Sequence, residues 1–472
     1  MVWTREIPFV DPVAAAARLS GLPGFAFLDS AMPHDTLGRV SVLAADPFAR
    51  FRVRDGRASL DGRPLDGPPL AALRACLAPY RLPRDPDGPA FPGGAIGYLA
   101  YDFGAALERV APPRRRAGLT DDVAFNLYDT VLAVDHAQRS CRLIATGFPK
   151  AGTARAARAE ARLDAFAARL DGAAVPEAVP SRAATPLAWR SNFNRQAYET
   201  AVERVRDYIR AGDIYQANIA QRFAAELPEG FDPFAFYRRL RATNPATFGA
   251  YLAFEGLTVA SSSPERFLKL DGRRVETRPI KGTMRRADDP GEDARLAAAL
   301  RADPKERAEN IMIVDLLRND LSRVCEPGSV RVPTLCGLES YAGVHHLVSV
   351  VTGTLREGLD ALDLLGGTFP GGSITGAPKL RAMDIITEIE GDARELYCGA
   401  IGALGFNGSL DTSIAIRTVV MNGRTAVLQA GGGVTLLSEP GPEYEETLTK
   451  AARVFQAFEE TPGDAPAPGG DP

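Results

Sequence analysis

The stretch SSSPERFLKLDGRRVETRPIKGTMRR, residues 261–286, decides how the rest of the chain is read. Residues 266–270 and 274–278 read as two short strands, with an Asp-Gly turn at Asp271 and Gly272 between them. A hairpin returns its ends to one place. Glu265 precedes it and Lys281 follows it, so a carboxyl and an amine distant in sequence are expected to face one cavity. Lys281, set between Pro279-Ile280 and Gly282-Thr283 with an acid nearby, suits covalent amine chemistry on a small substrate. The plainer reading is a surface lysine on a loop, where most lysines sit.

At 472 residues the chain has room for two or three average domains, or for one large body with an extensive core. Apolar residues at 45% and charged ones at 24% are the balance of an ordinary soluble globular protein. A net charge of −4 gives no footprint for nucleic acid or for an anionic membrane. No uncharged apolar run approaches the ~20 residues that span a bilayer. MVWTREIPFV lacks the basic start and apolar core of a secretion signal. Cys76, Cys141, Cys325, Cys336 and Cys398 are odd in number, scattered, and never spaced as C-x-x-C. That argues against a disulfide framework or a structural zinc site and for the reducing cytoplasm.

Residues 1–175 form an N-terminal region rich in strand-like runs: FAFLDS, RVSVLAA, FARFRVR, AIGYLAYDF and TVLAVDH, divided by Gly, Pro and Asp turns. Residues 153–170 are nearly all helix formers and stop at Asp-Gly. The Ala- and Pro-rich DGAAVPEAVPSRAATP reads as a connection, and beyond it lies a second region, 190–458. A helix is expected there over 195–211, with Tyr198, Val202, Val205, Tyr208 and Ile209 on one face, and another over 304–319. Residues 459–472, rich in Pro, Gly and Asp, read as a disordered tail.

The glycine-rich GTFPGGSITGAPK (367–379) fails as a phosphate loop, because its last Gly is followed by Ala377-Pro378-Lys379. Asp303-Pro304-Lys305-Glu306 is a strong helix start, with Asp303 as cap, Pro304 first in the helix and Glu306 in the place of a capping carboxylate. Glu309 shares its face, and Ile311, Val314 and Leu317 make the helix apolar enough to be buried, so its carboxylates need a partner. GPEYEETLTKAARV repeats the pattern: Pro442 opens a helix with Glu443, Glu446 and Lys450 on one face, ordinarily a solvated one. Two E-x-x-E faces brought together repel unless a cation lies between them. Hard oxygen donors of this kind suit Mg²⁺, which keeps several waters and bridges to an anionic substrate. IAIRT places Arg417 inside an apolar strand, where an unpaired guanidinium is costly, so it is expected to meet a carboxylate. AGGGV (430–434) clears side chains so that backbone N–H groups can approach an oxyanion. In GVHHLVSVV, alternation turns only one of His345 and His346 inward.

Seven segments carry a resemblance: SPERF (263–267), PIKGT (279–283), AENIMIVDLLRNDL (308–321), VHHLVS (344–349), SITGAPK (373–379), GAIGALGFNGSLDTSIAIRT (399–418) and GGGV with EYEETLTKA. Through them the chain resembles the chorismate-using enzymes, in the family's order, over most of residues 190–455. FLDSA, AADP and GGAIGYLAYD resemble that family's N-terminal region more loosely. The resemblance implies an α/β (α+β) fold like that of anthranilate synthase component I. In it two antiparallel β-sheets pack as a sandwich with helices on the outside, and the two halves interleave into one body. Family members that deliver ammonia or water to ring C2 carry alanine in the P-I-x-G-T slot. Lys281 instead is similar to the aminodeoxychorismate synthase branch, as is GDIYQANIAQRF. The implied activity is that of a transaminase-class transferase, making 4-amino-4-deoxychorismate from chorismate and ammonia for 4-aminobenzoate and folate synthesis.

The resemblance also implies roles. Lys281 attacks C2 of chorismate while Glu265, as general acid, protonates the departing C4 hydroxyl; ammonia then enters at C4 and expels the lysine. Glu306, Glu309, Glu443 and Glu446 hold Mg²⁺, which anchors the ring carboxylate. Arg417, Tyr397, the backbone of Gly431 and Gly433, and Lys450 hold the substrate's carboxylates, with Gly282, Thr283, Ser373 and Thr375 near the ring. His346 matches a histidine implicated in pyruvate elimination in anthranilate synthase, a step this reaction does not reach. Lys281 must be neutral and Glu265 protonated, which requires burial to dominate at Glu265. In the family the ammonia comes from a separate glutamine amidotransferase subunit; this chain has no G-x-C-x-G elbow, so such a partner chain, or free ammonium, is implied. Asp29 stands where tryptophan-inhibited relatives have Glu, which speaks against feedback inhibition. The alternatives are anthranilate synthase component I, disfavoured by Lys281, and a non-catalytic chorismate-binding subunit, disfavoured by the intact motif positions.

Overall fold

The computed structural model describes residues 1–32, 37–171, 187–341 and 343–459. The connection expected over 172–186 and the tail beyond Glu459 lie outside the described residues. Among those described, two twelve-stranded sheets face each other, with helices on their outer faces. The first sheet runs Trp3–Ile7, Ser140–Ala145, Thr130–Asp135, Val40–Ala44, Ala26–Asp29, Phe248–Phe254, Leu257–Ser263, Thr418–Asn422, Thr425–Val434, Gln216–Glu226, Arg190–Ser191, and Gly376–Ala377 also pairs with Gln216–Glu226. The second runs Ile280–Arg285, Val344–Thr354, Arg274–Thr277, Arg266–Asp271, Leu410–Ile414, Ala400–Gly405, Gly94–Leu99, Val123–Tyr128, Ala49–Arg54, Arg57–Leu60, Arg63–Leu65. Arg331–Ser340 lies against Val344–Thr354 on its other side. The neighbours that join the two sequence halves are antiparallel, Ala26–Asp29 on Phe248–Phe254 and Gly94–Leu99 on Ala400–Gly405.

The inner faces make one apolar layer, in which Ala26, Val131, Leu252 and Val259 of the first sheet meet Ile96, Tyr98, Ile401 and Ala403 of the second. On the outer face of the first sheet lie helices Gly152–Leu170, Pro233–Thr243 and Pro440–Glu459; Pro304–Ser322 and Ala361–Thr368 cover the second. Local chemistry explains the element ends. Asn194 caps Arg195–Arg210 by accepting from Ala197 N–H, and Asp303 caps Pro304–Ser322 by accepting from Lys305 and Glu306 N–H. The hairpin is present with its turn one residue on: Asp271 pairs with Arg274, and the two turn residues are Gly272 and Arg273. Gly272 has φ 61°, which a type II′ turn asks of its first central residue. The last helix opens at Pro440, two residues before Pro442, because Pro440 fits the first helical position.

Candidate functional site

The chain changes sheets at two neighbouring points. Leu257–Ser263 of the first sheet leads through Pro264 and Glu265 into Arg266–Asp271 of the second. Leu410–Ile414 of the second leads through Arg417 into Thr418–Asn422 of the first. The crossings are tied together, since Ser262 N–H donates to Arg417 O (3.1 Å) and Ile414 N–H to Glu265 O (3.0 Å). Glu265 and Arg417 thus stand side by side at a corner of the sandwich, Arg417 with a left-handed φ of 50°.

Lys281 comes to the same corner from Ile280–Arg285, where the register against Val344–Thr354 slips between Lys281 and Thr283. Gly282, with φ 72°, is the extra residue of this bulge. Lys281 Nζ donates to Ser373 O at 3.4 Å, and the Ser373 side chain bonds the Glu265 carboxyl. The structure therefore brings the expected carboxyl and amine to one serine. Burial pushes the Glu265 carboxyl up to about 7, against the Ser373 hydrogen bond, Lys281, the Ile280 N–H and Arg417, all of which favour the anion. Burial outweighs them.

The two acidic faces lie within electrostatic reach of each other, Glu446 acting on Glu306 and Glu443 on Glu309. A Cβ on Gly282 would lie 3.1 Å from Glu306 Oε2, and one on Gly432 would lie 3.0 Å from Glu443 Oε2 and 3.3 Å from Glu446 Oε1. Missing side chains at two glycines thus admit the carboxylates from either side. Burial raises Glu306, Glu309 and Glu443, and each also feels another of the four carboxylates. At Glu446 burial is outweighed by Lys450, whose Nζ lies 2.6 Å from Oε1, and its carboxyl is held low. Glu306 is no capping carboxylate here, since Asp303 N–H bonds Leu300 O instead. Glu443 Oε2 is buried without a hydrogen-bond partner. Among the described residues no three His, Cys, Asp or Glu side chains stand close enough to ligate one ion directly. The donor set, with its orphaned oxygen, still fits a hard cation that keeps its own waters.

The anion-binding residues divide. Among the described residues Arg417 meets no carboxylate at ion-pair distance, contrary to expectation, and it lies at a crossing rather than inside a strand; burial and then Arg453 push it down to about 10, while Glu265 raises it. Ala220 N–H goes to Glu390 and Asn218 N–H to Thr375 O, so their pairs with Gly431 and Gly433 exchange no ladder bonds. The N–H groups of Gly431 and Gly433 therefore point to the strand's other side, where Lys450 Nζ donates to Gly431 O at 2.9 Å. Lys450 is thus engaged with Gly431 and Glu446. The Thr375 hydroxyl turns back on Gly371 O (3.1 Å), and Tyr397 is buried with its ring 5.7 Å from the Arg394 guanidinium. Both histidines are buried, not one: Arg331–Ser340, Ile280–Arg285 and helix Pro290–Ala302 all pack on their strand. His346 Nδ1 pairs with the Thr283 hydroxyl at 2.8 Å, and burial followed by Arg417 lowers its pKa to about 4. His345 lies between Ser340 and Asp293.

Three features were not read from the sequence. Gln216 and Asn218 are buried with side-chain oxygens that have no partner. The glycine-rich segment 367–379 is clamped at its end by buried Lys379, whose Nζ donates to Asp320 (2.6 Å) and to Thr368 O (2.9 Å). Glu390 and Arg394 form a buried pair behind Ser373. The only signal for these was polar residues inside apolar runs, such as Gln216 and Asn218 in IYQANIA.

No helix among the described residues is long and apolar enough to cross a membrane. The family profile for chorismate binding enzymes matches residues 25–456. Aminodeoxychorismate synthase component 1 of Klebsiella aerogenes is 40% identical over 448 residues, covering 93% of this chain and 95% of its own. Anthranilate synthase component 1 of Thermus thermophilus is 39% identical over 450 residues, 95% of each chain. The crystal structure of anthranilate synthase component I from Streptococcus pneumoniae superposes with a TM-score of 0.80 at 33% identity, over 88% of this chain and 92% of that one.

Proposed function

This chain belongs to the family of chorismate binding enzymes, and on that premise we propose that it is an aminodeoxychorismate synthase component I. The observation that carries the reading is the meeting of Lys281 and Glu265 at Ser373. An amine and a carboxyl that keeps its proton up to about pH 7 are the two groups needed to displace a hydroxyl from a small ring. Lys281 Nζ adds at C2 as the ring double bonds migrate, and Glu265 gives its proton to the C4 hydroxyl, which leaves as water. Ammonia adds at C4, the double bonds return, and Lys281 leaves. Arg417 and the N–H groups of Gly431 and Gly433 hold the substrate's carboxylates, and Thr283 orients the neutral His346 beside them.

Glu306, Glu309, Glu443 and Glu446 would hold Mg²⁺ through its waters, where it would supply a counter-charge to the ring carboxylate. The ammonia would come from a glutamine amidotransferase subunit, the product would feed 4-aminobenzoate and folate synthesis, and the setting would be the cytoplasm. Anthranilate synthase component I is the second reading, favoured by a relative of nearly equal identity. Product analysis by chromatography with mass detection separates them, using chorismate, Mg²⁺ and ammonium with the wild type and Lys281→Ala. Aminodeoxychorismate from the wild type, lost in the variant, is expected. Anthranilate from the wild type would assign the chain to the other branch.

A further inference from the structure

The buried pair Glu390–Arg394 takes no part in that chemistry, yet it joins strand Gln216–Glu226 to the turn that carries Ser373. Strand Gln216–Glu226 is covered along one edge by Gly376–Ala377 at Gln216 and Ala217, and by Arg190–Ser191 at Phe223 and Ala224. The edge between would be open. There Arg394 Nη2 donates to Asn218 O (2.6 Å) and Ala220 N–H donates to Glu390 Oε1 (2.9 Å), so two side chains replace a missing piece of strand. The guanidinium is closed against Glu390 by Nε to Oε2 (2.9 Å) and Nη2 to Oε1 (2.6 Å). Its remaining arm, Nη1, donates to Ile374 O at 3.1 Å. Ile374 is the neighbour of Ser373, where Lys281 and Glu265 meet.

We propose that Arg394, held by Glu390, is a positioning residue for the amination site: it fixes the turn of Ser373, Ile374 and Thr375 against the strand at Asn218 and Ala220. The proposal rests on the amination reading above for its consequence in catalysis. Both groups are almost wholly buried, at 1% and 6% exposure. The attraction within such a pair does little for stability beyond what apolar residues of the same size would do, but this pair also satisfies Asn218 O, Ala220 N–H and Ile374 O. What apolar residues cannot supply is a rigid fork reaching a strand, a turn and a carboxylate at once, and a lysine has only one point of charge.

The test compares the full chain with two variants, Arg394→Lys and the double Arg394→Met with Glu390→Leu, which leaves no charge unpaired in the interior. Thermal unfolding of the double variant should stay a single transition and fall by a few degrees, because Asn218 O, Ala220 N–H and Ile374 O lose their partners. Hydrogen exchange over residues 371–378 should quicken about tenfold, because the turn opens without global unfolding. Turnover should fall about 100-fold with little change in KM for chorismate, as expected for a misplaced rather than missing group. The upper limb of the pH profile should also move to lower pH. Water admitted by the loosened turn relieves the burial of Glu265, while Lys281 and Arg417, with Cys398 the titratable groups facing it, go on favouring or sensing its anion. Unchanged exchange over 371–378 overturns the proposal, as does activity lost only in step with folded protein at an unmoved pH limb. If the double variant does not fold, Arg394→Lys carries the same measurements. A wild type that does not aminate chorismate would sink the functional reading, while exchange would still decide whether the pair holds the turn.

Discussion

Glu265 concentrates the opposing forces of the site in one side chain. Ser373, Lys281, the Ile280 N–H and Arg417 favour its anion, and burial prevails and holds the carboxyl at about 7 against an ordinary 4.5. A carboxyl raised in this way contributes stability that is whole below the unfolded value and lost as pH rises through about 7. A shift of that size is worth about 3 kcal/mol at most. Glu265→Gln removes the loss. Its melting temperature relative to wild type should therefore be nearly unchanged at pH 5 and higher by a few degrees at pH 8, followed by scanning calorimetry. A gain that shrinks as pH rises would mean that the ionised form is the one the site stabilises. In the same variant turnover should fall about 10²–10⁴-fold, the usual worth of a general acid, and the decline of wild-type turnover above about pH 7 should disappear. The group that gives the site its acid is thus expected to cost the fold stability at alkaline pH.

Between elements, the contact that matters is made where side chains are missing. Helices Pro304–Ser322 and Pro440–Glu459 bring their carboxylates over Gly282 and Gly432, and a methyl at Gly432 would sit at or inside contact distance of both Glu443 and Glu446. Gly432→Ala has an extended strand to occupy, so it should fold. It should weaken Mg²⁺ binding several-fold, read by calorimetric titration of the metal, while the melting temperature without metal stays near that of wild type. Equal Mg²⁺ affinity in the two proteins would show that these carboxylates are not its seat. The starts of such helices were legible because a cap is local: Asp303 before Pro304 announces its helix in four residues. Strands Val123–Tyr128 and Ser140–Ala145 were missed, the first because it is buried on both faces and so shows no alternation. The two histidines were misjudged for a related reason. Alternation says which face a residue takes, and nothing local says that helix Pro290–Ala302 covers the other one. The apolar IAIRT argues for a strand at Arg417, whereas its place at a crossing depends on which sheet each flanking strand joins.

Over the whole molecule, the composition shift at 172–186 marks a boundary in the sequence that is not a boundary between sheets. Each sheet is joined across it once, Ala26–Asp29 on Phe248–Phe254 in the first and Gly94–Leu99 on Ala400–Gly405 in the second. The inner apolar layer is likewise shared, with Ile96 and Tyr98 packed among Leu252, Val259 and Ile401. Periodicity reveals strands but not their partners, so the two-sheet architecture was reached through resemblance and not through the pattern of any one segment. The pairings have a physical consequence. Residues 1–171 alone would expose Ala26–Asp29 and Gly94–Leu99 as open apolar edges, and residues 187–472 alone would expose Phe248–Phe254 and Ala400–Gly405. Expressed separately, neither piece should unfold cooperatively, and both should aggregate. Co-expressed, they should purify together and melt in a single transition, because the two edge pairings and the shared layer do not need the covalent link. A cooperative melt from either piece alone would show that the halves are independent domains. The corner that holds Glu265, Lys281 and Arg417 would then be assembled by the second half without help from the first, and residues 187–472 would be expected to bind chorismate unaided.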